Sequence, residues 1–425
     1  MILPGYYEYC CRVKTVAGHR ALEKISPELA RMNAKKPMVI TDKGVAGAGL
    51  IKLVTSAIKS ARGAKVSVGA VYDNVPPDSD LKMVQEVAKL YRAKNCDSII
   101  AVGGGSVLDT AKGVNILVSL GGDSLMRYAG AGAVKKKLRP MIAVPTTSGT
   151  GSEMTLVAVI ADHERSVKLP FVSYFLLPDV AVLDSRMTKT LPPALTASTG
   201  MDAMTHACEA YTCMAKNPVS DSNAMEAIRL IAENILNVVK KPNDMEGRLA
   251  LANASALAGM AFSNSMVGMV HMLGHATGGA CGVPHGTCMS IYLPYGLEYN
   301  LHRNGHLTAE LLLPLAGPEV YAATPKAERA HKAIAVIRKL NEDLHHATGG
   351  RHARFLKEIM GRDGKQMVPK EKLAAIANTA MGDASQFYNP EDVDYNDAMM
   401  VLEHAYEGTH LDNKKVKKGG KGMKF

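Results

Sequence analysis

The 425-residue sequence predicts an α/β domain with a mainly parallel sheet, followed by an all-helical domain. Its length alone favours two or three domains, at roughly 150 residues each. The first half alternates short Val- and Ile-rich runs with segments of helical period, which is typical of a parallel sheet with flanking helices. From Pro192 onward only the helical period remains. We therefore expect an α/β domain over 1–190, a helical domain over 191–412 and a tail over 413–425.

Short apolar runs bounded by Gly, Pro, Asp or Asn predict the strands of the first domain. These runs cover residues 38–41, 65–72, 98–102, 141–144 and 180–184. Between them, residues 26–34 and 79–94 have helical period. Ser26 is the expected N-cap of the first of these helices, with Pro27 at its first helical position.

Long segments rich in Ala, Met and Leu predict the helices of the second domain. They cover residues 201–215, 220–240, 248–278, 369–381 and 389–408. We see no internal repeat in this half, so we expect one helical domain rather than a solenoid.

The charge balance is basic, with a formal net charge of +10. Residues 413–425 hold six lysines and no acid, so most of the excess belongs to the tail. Such a tail is typically solvated and disordered, and the alternative is a docking arm for an acidic partner or nucleic acid. We do not expect nucleic-acid binding, because the sequence shows no nucleic-acid-binding motif and no interleaved aromatic residues.

The seven cysteines form an odd set without a Cys-x-x-Cys pair, which is typical of reduced thiols. No segment approaches the 18 or so apolar residues of a membrane span, and the N-terminus lacks the pattern of a signal peptide. We expect a cytoplasmic protein that does not enter a membrane.

Two loops rich in Gly, Ser and Thr follow predicted strands. The first is Gly103-Gly104-Gly105-Ser106, before a helical segment that begins near Val107, and the second covers residues 145–153. Glycines and a helix N-terminus suit a phosphate, and ligands bind such sheets at the carboxyl ends of strands. The first loop does not match G-x-G-x-x-G, so a turn that only permits close packing is the alternative.

Asp42 ends the strand predicted over 38–41. A carboxylate there would accept from ribose hydroxyls and repel a 2′-phosphate, which favours NAD over NADP. Asp42 precedes the glycine loop by about 60 residues, whereas the usual fingerprint places the acid about 20 residues after it. A turn or helix-cap residue is therefore the alternative.

Candidate metal ligands lie in the helical half. Asp202 and His206 are four residues apart, as are His271 and His275, so each pair shares a helix face. His285 follows in a Pro-His-Gly turn. Any single one of these imidazoles is readily explained as a core histidine with a hydrogen-bond partner. Together, however, they suit Fe²⁺ or Zn²⁺, which would acidify an alcohol hydroxyl for hydride transfer to a nicotinamide.

The sequence resembles the iron-containing (group III) alcohol dehydrogenases from about residue 6 to residue 408. The motifs that carry the resemblance are VITDKG (39–44), GGGSVLDTAK (103–112), PTTSGTGSE (145–153), TGMDAMTHACEAY (199–211), GMVHMLGHATGG (268–279) and VPHGT (283–287). The family fold is an α/β nucleotide domain followed by a helical domain, with the active site in the cleft between them.

The resemblance implies roles for individual residues. The metal ligands would be Asp202, His206, His271 and His285, with His275 beside the nicotinamide as the catalytic proton relay. The residues implied around the cofactor are Asp42, Gly103, Gly104, Gly105, Ser106, Asp109, Thr146, Thr147, Ser148, Thr150, Val159, Lys168, Leu183 and His275. Asp78 stands where many members carry a cofactor-contacting Asn, which leaves that contact open.

The resemblance also implies a function. We expect an NAD(H)-linked alcohol dehydrogenase or aldehyde reductase of small primary alcohols or diols, using Fe²⁺ with Zn²⁺ as the alternative metal. We expect a homodimer or a larger homo-oligomer. The alternatives are a polyol dehydrogenase or lyase of the same superfamily and, outside enzymes, an assembly or nucleic-acid-binding role for the tail.

Overall fold

The computed structural model describes residues 4–61, 66–77, 79–165, 167–361, 363–412 and 416. Asp78 and the tail over 413–425, apart from Val416, lie outside the described residues, and so does the first residue of the strand predicted over 65–72. The chain forms two compact units. An α/β unit consists of Cys10–Leu191 and Asn243–Ser263, and a helical unit consists of Met1–Tyr9, Pro192–Pro242 and Asn264–Phe425.

The α/β unit is built on a six-stranded parallel sheet of order β1-β9-β6-β4-β2-β3. The same unit contains a smaller three-stranded sheet of order β5-β8-β7, in which β7 and β8 are antiparallel. The strands are β1 (Lys14–Gly18), β2 (Pro37–Ile40), β3 (Ala70–Tyr72), β4 (Ser98–Gly103), β5 (Gly130–Ala131), β6 (Met141–Pro145), β7 (Val157–Asp162), β8 (Val167–Val172) and β9 (Val180–Asp184). The prediction of a mainly parallel sheet is confirmed.

Both units contain helices. They are α1 (Ile25–Arg31), α2 (Lys43–Gly47), α3 (Leu50–Ser60), α4 (Leu81–Ala93), α5 (Gly105–Leu120), α6 (Pro193–Thr212), α7 (Pro218–Lys240), α8 (Met245–Ser263), α9 (Met269–Cys281), α10 (His285–Tyr299), α11 (Leu301–Glu310), α12 (Leu312–Ala323), α13 (Arg329–Ala347), α14 (Leu373–Ala380) and α15 (Tyr395–Glu407). The α/β unit holds α1 to α5 and α8, and the helical unit holds the others.

The central sheet is apolar on both faces, which explains why its strands are continuous apolar runs. In β4, Ile99 and Ala101 belong to one core cluster, while Ile100 and Val102 belong to another. Helices α4 and α5 cover the first face, and α1 and α3 cover the second. Because helices cover both faces of this sheet, a ligand can reach it at the ends of its strands.

The start of α1 differs from the prediction. The helix begins at Ile25 and its N-cap is Lys24, which makes no side-chain capping bond. Ser26 lies inside the helix and donates its hydroxyl to the carbonyl of Ile58 at 3.1 Å. The prediction of Ser26 as the N-cap was wrong because a preceding 3₁₀ turn, Ala21–Lys24, leads directly into the helix.

The single helix predicted over 248–278 is two helices, α8 and α9. Between them Met266 takes a left-handed conformation with φ of 78°, which an α-helix does not accommodate. Helix α8 also belongs to a different unit from the predicted one. The sequence assigned it to the helical domain, whereas the structure groups it with the α/β unit. His271 consequently lies in the first turn of α9 rather than in the middle of a long helix.

All seven cysteines lie in the described ranges and are free thiols. Among the helices of the described residues, none combines the length and the apolar character that crossing a membrane requires.

Candidate metal centre and cofactor loops

Four residues of the helical unit bring their ligand atoms together. Asp202 and His206 lie one turn apart on α6, His271 lies in the first turn of α9, and His285 is the first residue of α10. One side-chain nitrogen or oxygen from each lies within 4.8 Å of the others. The set therefore comes from three helices, and sequence spacing could pair only the two residues on α6.

Close packing of two helices sets the position of His285. A Cβ atom on Gly286 would lie 2.5 Å from the carbonyl oxygen of Ser198 on α6, which no side chain tolerates. Glycine therefore lets the first turn of α10 rest directly on the backbone of α6. This contact holds His285 next to Asp202, with 3.3 Å between His285 Nε2 and Asp202 Oδ1.

The cluster is buried except on one side. The side chains of Asp202, His206 and His271 are 3%, 6% and 4% exposed, whereas that of His285 is 38% exposed. Burial lowers the pKa of His206 to about 3 and lowers the pKa of His271 well below its usual value. Both imidazoles are therefore neutral at physiological pH, which is the form that binds a metal.

The carboxyl of Asp202 behaves in the opposite way. Burial alone would raise its pKa, but the facing imidazoles, chiefly His206, outweigh burial and hold the pKa below its usual range. An ionised carboxylate and neutral imidazoles form a donor set for a divalent cation. The Nε2 atom of His271 fits this assignment, because it is buried and has no hydrogen-bond partner among the described residues.

Glu209 fixes the orientation of His271. It lies on α6, and its Oε2 pairs with His271 Nδ1 at 2.5 Å while its Oε1 accepts from the backbone N–H of Val270 at 2.8 Å. A carboxylate on Nδ1 leaves Nε2 as the lone-pair nitrogen, as is usual for histidines that bind metals. The sequence analysis missed Glu209. Its position three residues after His206, in an apolar helix, was the available signal.

His275 lies next to the cluster but outside the set of ligands. Its ring stacks on that of His285, with 5.3 Å between ring centroids and 18° between the planes. Its Nδ1 is 2.8 Å from Oδ2 of Asp383, and its side chain is 47% exposed. The structure thus separates His275 from the four candidate ligands, and Asp383 is a second partner that the sequence analysis did not identify.

The predicted cofactor loops lie at neighbouring strand ends of the α/β unit. Asp42 follows β2, the glycine run ends β4, and the loop over 145–153 follows β6. Strand β4 pairs with β2 on one side and with β6 on the other, and all three are parallel. Their carboxyl ends therefore lie side by side, where sheets of this type bind ligands.

The glycines of the first loop are needed for packing. A Cβ atom on Gly104 would lie 3.3 Å from Oγ1 of Thr147, and one on Gly105 would lie 2.9 Å from Cγ2 of Thr150. The alternative of a close-packed turn is thus supported. Phosphate binding stays a prediction that the same geometry allows, because Gly104 is the N-cap of α5 and, among the described residues, no side chain makes a capping hydrogen bond at this helix end.

Asp42 is a helix cap in the structure. Its Oδ1 accepts from the backbone N–H of Val45 at 2.8 Å, as N-cap of α2. The capping bond uses one carboxylate oxygen, and the predicted contact of Asp42 with a ribose stays a prediction.

Asp109 on α5 forms hydrogen bonds with the loop after β6 and with strand β7. Its Oδ1 accepts from the hydroxyl of Ser152 at 2.9 Å, and its Oδ2 accepts from the backbone N–H of Val159 at 3.0 Å. The buried Lys112 donates to the same Ser152 hydroxyl and to the carbonyls of Thr155 and Val157. Because both oxygens of Asp109 are occupied, the structure gives it a role in loop architecture, and the sequence analysis did not identify Lys112.

The other predicted cofactor residues occupy different environments. Leu183 is 1% exposed and packs in the core beside Met154, so its contacts are those of a core residue. Val159 is 41% exposed on β7, and Lys168 lies on β8 opposite Ala161. Ser106 donates its hydroxyl to the carbonyl of Pro77. The remaining loop residues Thr146 and Ser148 are each 5% exposed, while Thr147 and Thr150 are partly buried.

Two family models together match most of the chain. The model described as iron-containing alcohol dehydrogenase matches residues 13–185, and the C-terminal model of the same family matches residues 196–406. The NAD-dependent methanol dehydrogenase of Bacillus methanolicus is 33% identical over 395 residues, which are 92% of this chain and 97% of that protein. The 1,3-propanediol dehydrogenase of Klebsiella pneumoniae is 38% identical over 329 residues, 77% of this chain and 83% of that protein.

A solved structure shows the same fold. The crystal structure of a 1,3-propanediol oxidoreductase superposes with a TM-score of 0.87 at 33% identity, covering 94% of this chain and 100% of that chain. Both halves of the sequence match models of this family, and the fold matches a solved structure. The chain therefore belongs to the iron-containing alcohol dehydrogenase family and is a metal-dependent alcohol dehydrogenase.

Proposed function

We propose that this enzyme interconverts small primary alcohols or diols and their aldehydes, with NAD(H) as the hydride carrier and one divalent metal bound by Asp202, His206, His271 and His285. The observation that carries the proposal is the convergence of these four side chains, with ligand atoms within 4.8 Å of one another. The similarity of the chain to a methanol dehydrogenase and a 1,3-propanediol dehydrogenase supports the substrate class.

The protein residues would prepare the substrate hydroxyl. A bound metal would supply a Lewis acid that lowers the pKa of the alcohol, and NAD⁺ would supply the hydride acceptor. Burial of Asp202, His206 and His271 keeps water from three sides of the ligand set, while the exposed side of His285 leaves an approach for substrate oxygen. The four ligands lie on three packed helices, which keep the geometry fixed.

His275 is the proposed proton relay. With its Nδ1 bonded to Asp383, its Nε2 is the nitrogen that can accept the hydroxyl proton. The side chain is 47% exposed, which gives that proton a route to solvent.

In the α/β unit, we propose that Asp42 selects NAD through ribose hydroxyls and that Gly103, Gly104, Gly105 and Ser106 lie against the pyrophosphate. The remaining proposed contacts are Thr146, Thr147, Ser148, Thr150, Val159 and Lys168. Asp109 and Leu183 are proposed to support these loops without touching the cofactor, because the oxygens of Asp109 are occupied and Leu183 is buried in the core. The adjacency of the ends of β2, β4 and β6 supports a nucleotide at this edge.

The proposed metal is Fe²⁺. The family description supports iron, while a carboxylate with three imidazoles also accepts Zn²⁺. We further propose a homodimer or larger homo-oligomer in the cytoplasm. Seven free thiols support a reducing compartment, and light scattering of the purified protein measures the number of subunits.

An NAD(H) absorbance assay at defined metal content tests the proposal. The protein is stripped with a chelator, assayed on a panel of alcohols, diols and aldehydes, and back-titrated separately with Fe²⁺ and Zn²⁺. We expect activity to disappear on stripping and to return with about one metal per chain. Full activity in the stripped protein would contradict the role of the metal.

The variant His306→Ala is the matched control. His306 belongs to another His-x-x-x-His pair in the sequence, with His302, but it is an exposed residue of α11 outside the ligand set. We expect this variant to respond to chelation and back-titration like the wild type, whereas His271→Ala should not recover activity.

A further inference from the structure

Asp383 contacts the proposed proton relay from a distant part of the chain. It precedes the 3₁₀ helix Ala384–Tyr388 as its N-cap. Its Oδ1 accepts from the backbone N–H of Ser385 at 2.8 Å, and its Oδ2 lies 2.8 Å from Nδ1 of His275. The two carboxylate oxygens thus have different partners, one in the local backbone and one in α9.

The ionisation state of Asp383 suits the acceptor of a hydrogen bond from His275. Burial alone would raise its pKa, but the hydrogen bond and charge attraction of His275, together with the hydrogen bonds from Ser385, outweigh burial, so the pKa of the carboxyl is lowered. An ionised carboxylate has no proton to donate, so the imidazole must carry a proton on Nδ1. Neutral His275 therefore presents an unprotonated Nε2.

Two contacts together restrict the ring of His275. The bond to Asp383 restricts rotation about the side chain, and the face of the ring lies against His285. An imidazole held at one nitrogen and on one face keeps its other nitrogen in a fixed direction.

We propose that Asp383 is a positioning residue, which holds His275 with its proton on Nδ1 so that Nε2 accepts the proton of the alcohol hydroxyl. This inference rests on the proposed function. In the balanced reaction the alcohol loses a proton to Nε2 and a hydride to NAD⁺, giving the aldehyde and NADH. The imidazolium then releases the proton from Nε2 to water, while Asp383 stays ionised throughout.

The variant Asp383→Asn tests the proposal with little change of shape. The amide oxygen can still accept from Ser385, and the amide N–H₂ then faces Nδ1 and favours the opposite tautomer. We expect kcat to fall about 10- to 100-fold, with KM values within about twofold. This loss is smaller than the roughly 10²- to 10⁴-fold contribution of a general base, because the base is misoriented and not removed. Metal content should stay at one per chain.

A double-mutant comparison separates positioning from a structural role. If Asp383 acts through His275, Asp383→Asn should cost nothing further in the His275→Ala background. The control is Asp363→Asn, because Oδ1 of Asp363 accepts from the N–H of Lys365 at 3.1 Å in the same i to i+2 pattern without an imidazole. This control should retain the wild-type kcat.

A tautomer measurement gives a result that does not depend on activity. In zinc-loaded protein labelled with ¹⁵N-histidine, the signals of His275 are assigned with His275→Ala, and the wild type should carry its proton on Nδ1. Protonation on Nε2 instead, an unchanged kcat in Asp383→Asn, or an equal loss in both backgrounds would overturn the proposal. A wild type with no NAD(H)-linked alcohol oxidation would refute the proposed function instead, and the tautomer would still decide the role of Asp383.

Discussion

Glu209 shows at the scale of one residue how the protein prepares a metal ligand. Its carboxylate accepts from the backbone at the start of α9 and pairs with Nδ1 of His271, so one side chain fixes both the helix end and the ring. Because Nδ1 is occupied, only Nε2 of His271 faces the cluster. Such outer partners typically contribute a factor of about 10 to 100 in metal affinity.

We predict that Glu209→Gln weakens metal binding about 10- to 100-fold while the fold is retained, because an amide holds the imidazole less well than a carboxylate. Chelator competition measures the affinity. Glu391→Gln is the matched control, since Glu391 is also buried and pairs with an imidazole, His302, at 2.5 Å outside the cluster. Equal affinities in Glu209→Gln and the wild type would refute this role.

Asp42 caps helix α2 and is also proposed to select NAD, so a substitution that tests cofactor preference must keep the cap. Asp42→Gly should improve the use of NADP by removing negative charge, but it also removes the cap of α2. Asp42→Ser keeps a good N-cap and removes the same charge. We predict that it raises the ratio of kcat/KM for NADP to that for NAD about tenfold.

The control for that prediction is Asp394→Ser, which changes the N-cap of α15 in the helical unit. Its cofactor ratio should equal that of the wild type. A ratio that stays the same in Asp42→Ser would show that the carboxylate does not repel a 2′-phosphate.

Glu153 makes the stability of the α/β unit depend on pH. The side chain is buried, and burial raises its pKa from 4.5 to about 7, although the ammonium of Lys112 opposes the shift. The folded state therefore holds this proton more tightly than the unfolded state, and the stabilisation present below about pH 4.5 is lost as the pH rises through 7. The full change is about 3 kcal/mol.

We predict that Glu153→Gln, which cannot ionise, gains in Tm relative to the wild type as the pH rises from about 5 to about 8. Thermal unfolding of both proteins in the same buffers measures the difference. A difference in Tm that is independent of pH would mean that this carboxyl has the same pKa in the folded and unfolded states.

At the scale of elements, contact between α6 and α10 places a ligand from one helix against two from another. Gly286 permits that contact, because a Cβ atom there would lie 2.5 Å from a backbone oxygen of α6. Gly279 in α9 is the matched position, since a Cβ atom there would have no heavy atom of the described residues within 4 Å beyond its chain neighbours and the backbone of its own helix.

We predict that Gly286→Ala destabilises the protein by about 1–3 kcal/mol and weakens metal binding, because α10 must move away from α6. Gly279→Ala should leave metal binding unchanged and stabilise the helix by up to about 1 kcal/mol. Urea unfolding and chelator competition on both variants check this pair. Equal behaviour of the two alanine variants would contradict the packing argument.

The elements that the sequence predicted well are those with a strong local signal. The strands β2, β4, β6 and β9 are buried on both faces, so each is a continuous apolar run. The break at Met266 did have a local signal, because Ser263, Asn264 and Ser265 precede it and Gly268 follows, but the prediction of one long helix passed over it. Strands β7 and β8 were missed for different reasons. The apolar run over residues 156–161 was a signal for β7 that the prediction passed over, whereas β8 is mostly exposed and contains Pro170.

At the scale of the whole molecule, the sequence predicted site residues that share a helix better than site residues that lie far apart in the chain. Asp202 and His206 share a helix, so their spacing is visible in the sequence. Asp383 lies 108 residues from His275, and only the fold brings the two together. Family resemblance supplied the four-residue ligand set that spacing alone left open.

The measurement that tests the central claim most directly is the stoichiometry and affinity of Fe²⁺ and Zn²⁺ in the wild type, in single variants of Asp202, His206, His271 and His285, and in His306→Ala. We predict one high-affinity metal per chain in the wild type and in His306→Ala, and an affinity lower by a factor of at least about 100 in each ligand variant. Full metal binding in all four ligand variants would contradict the assignment of this cluster as the metal centre.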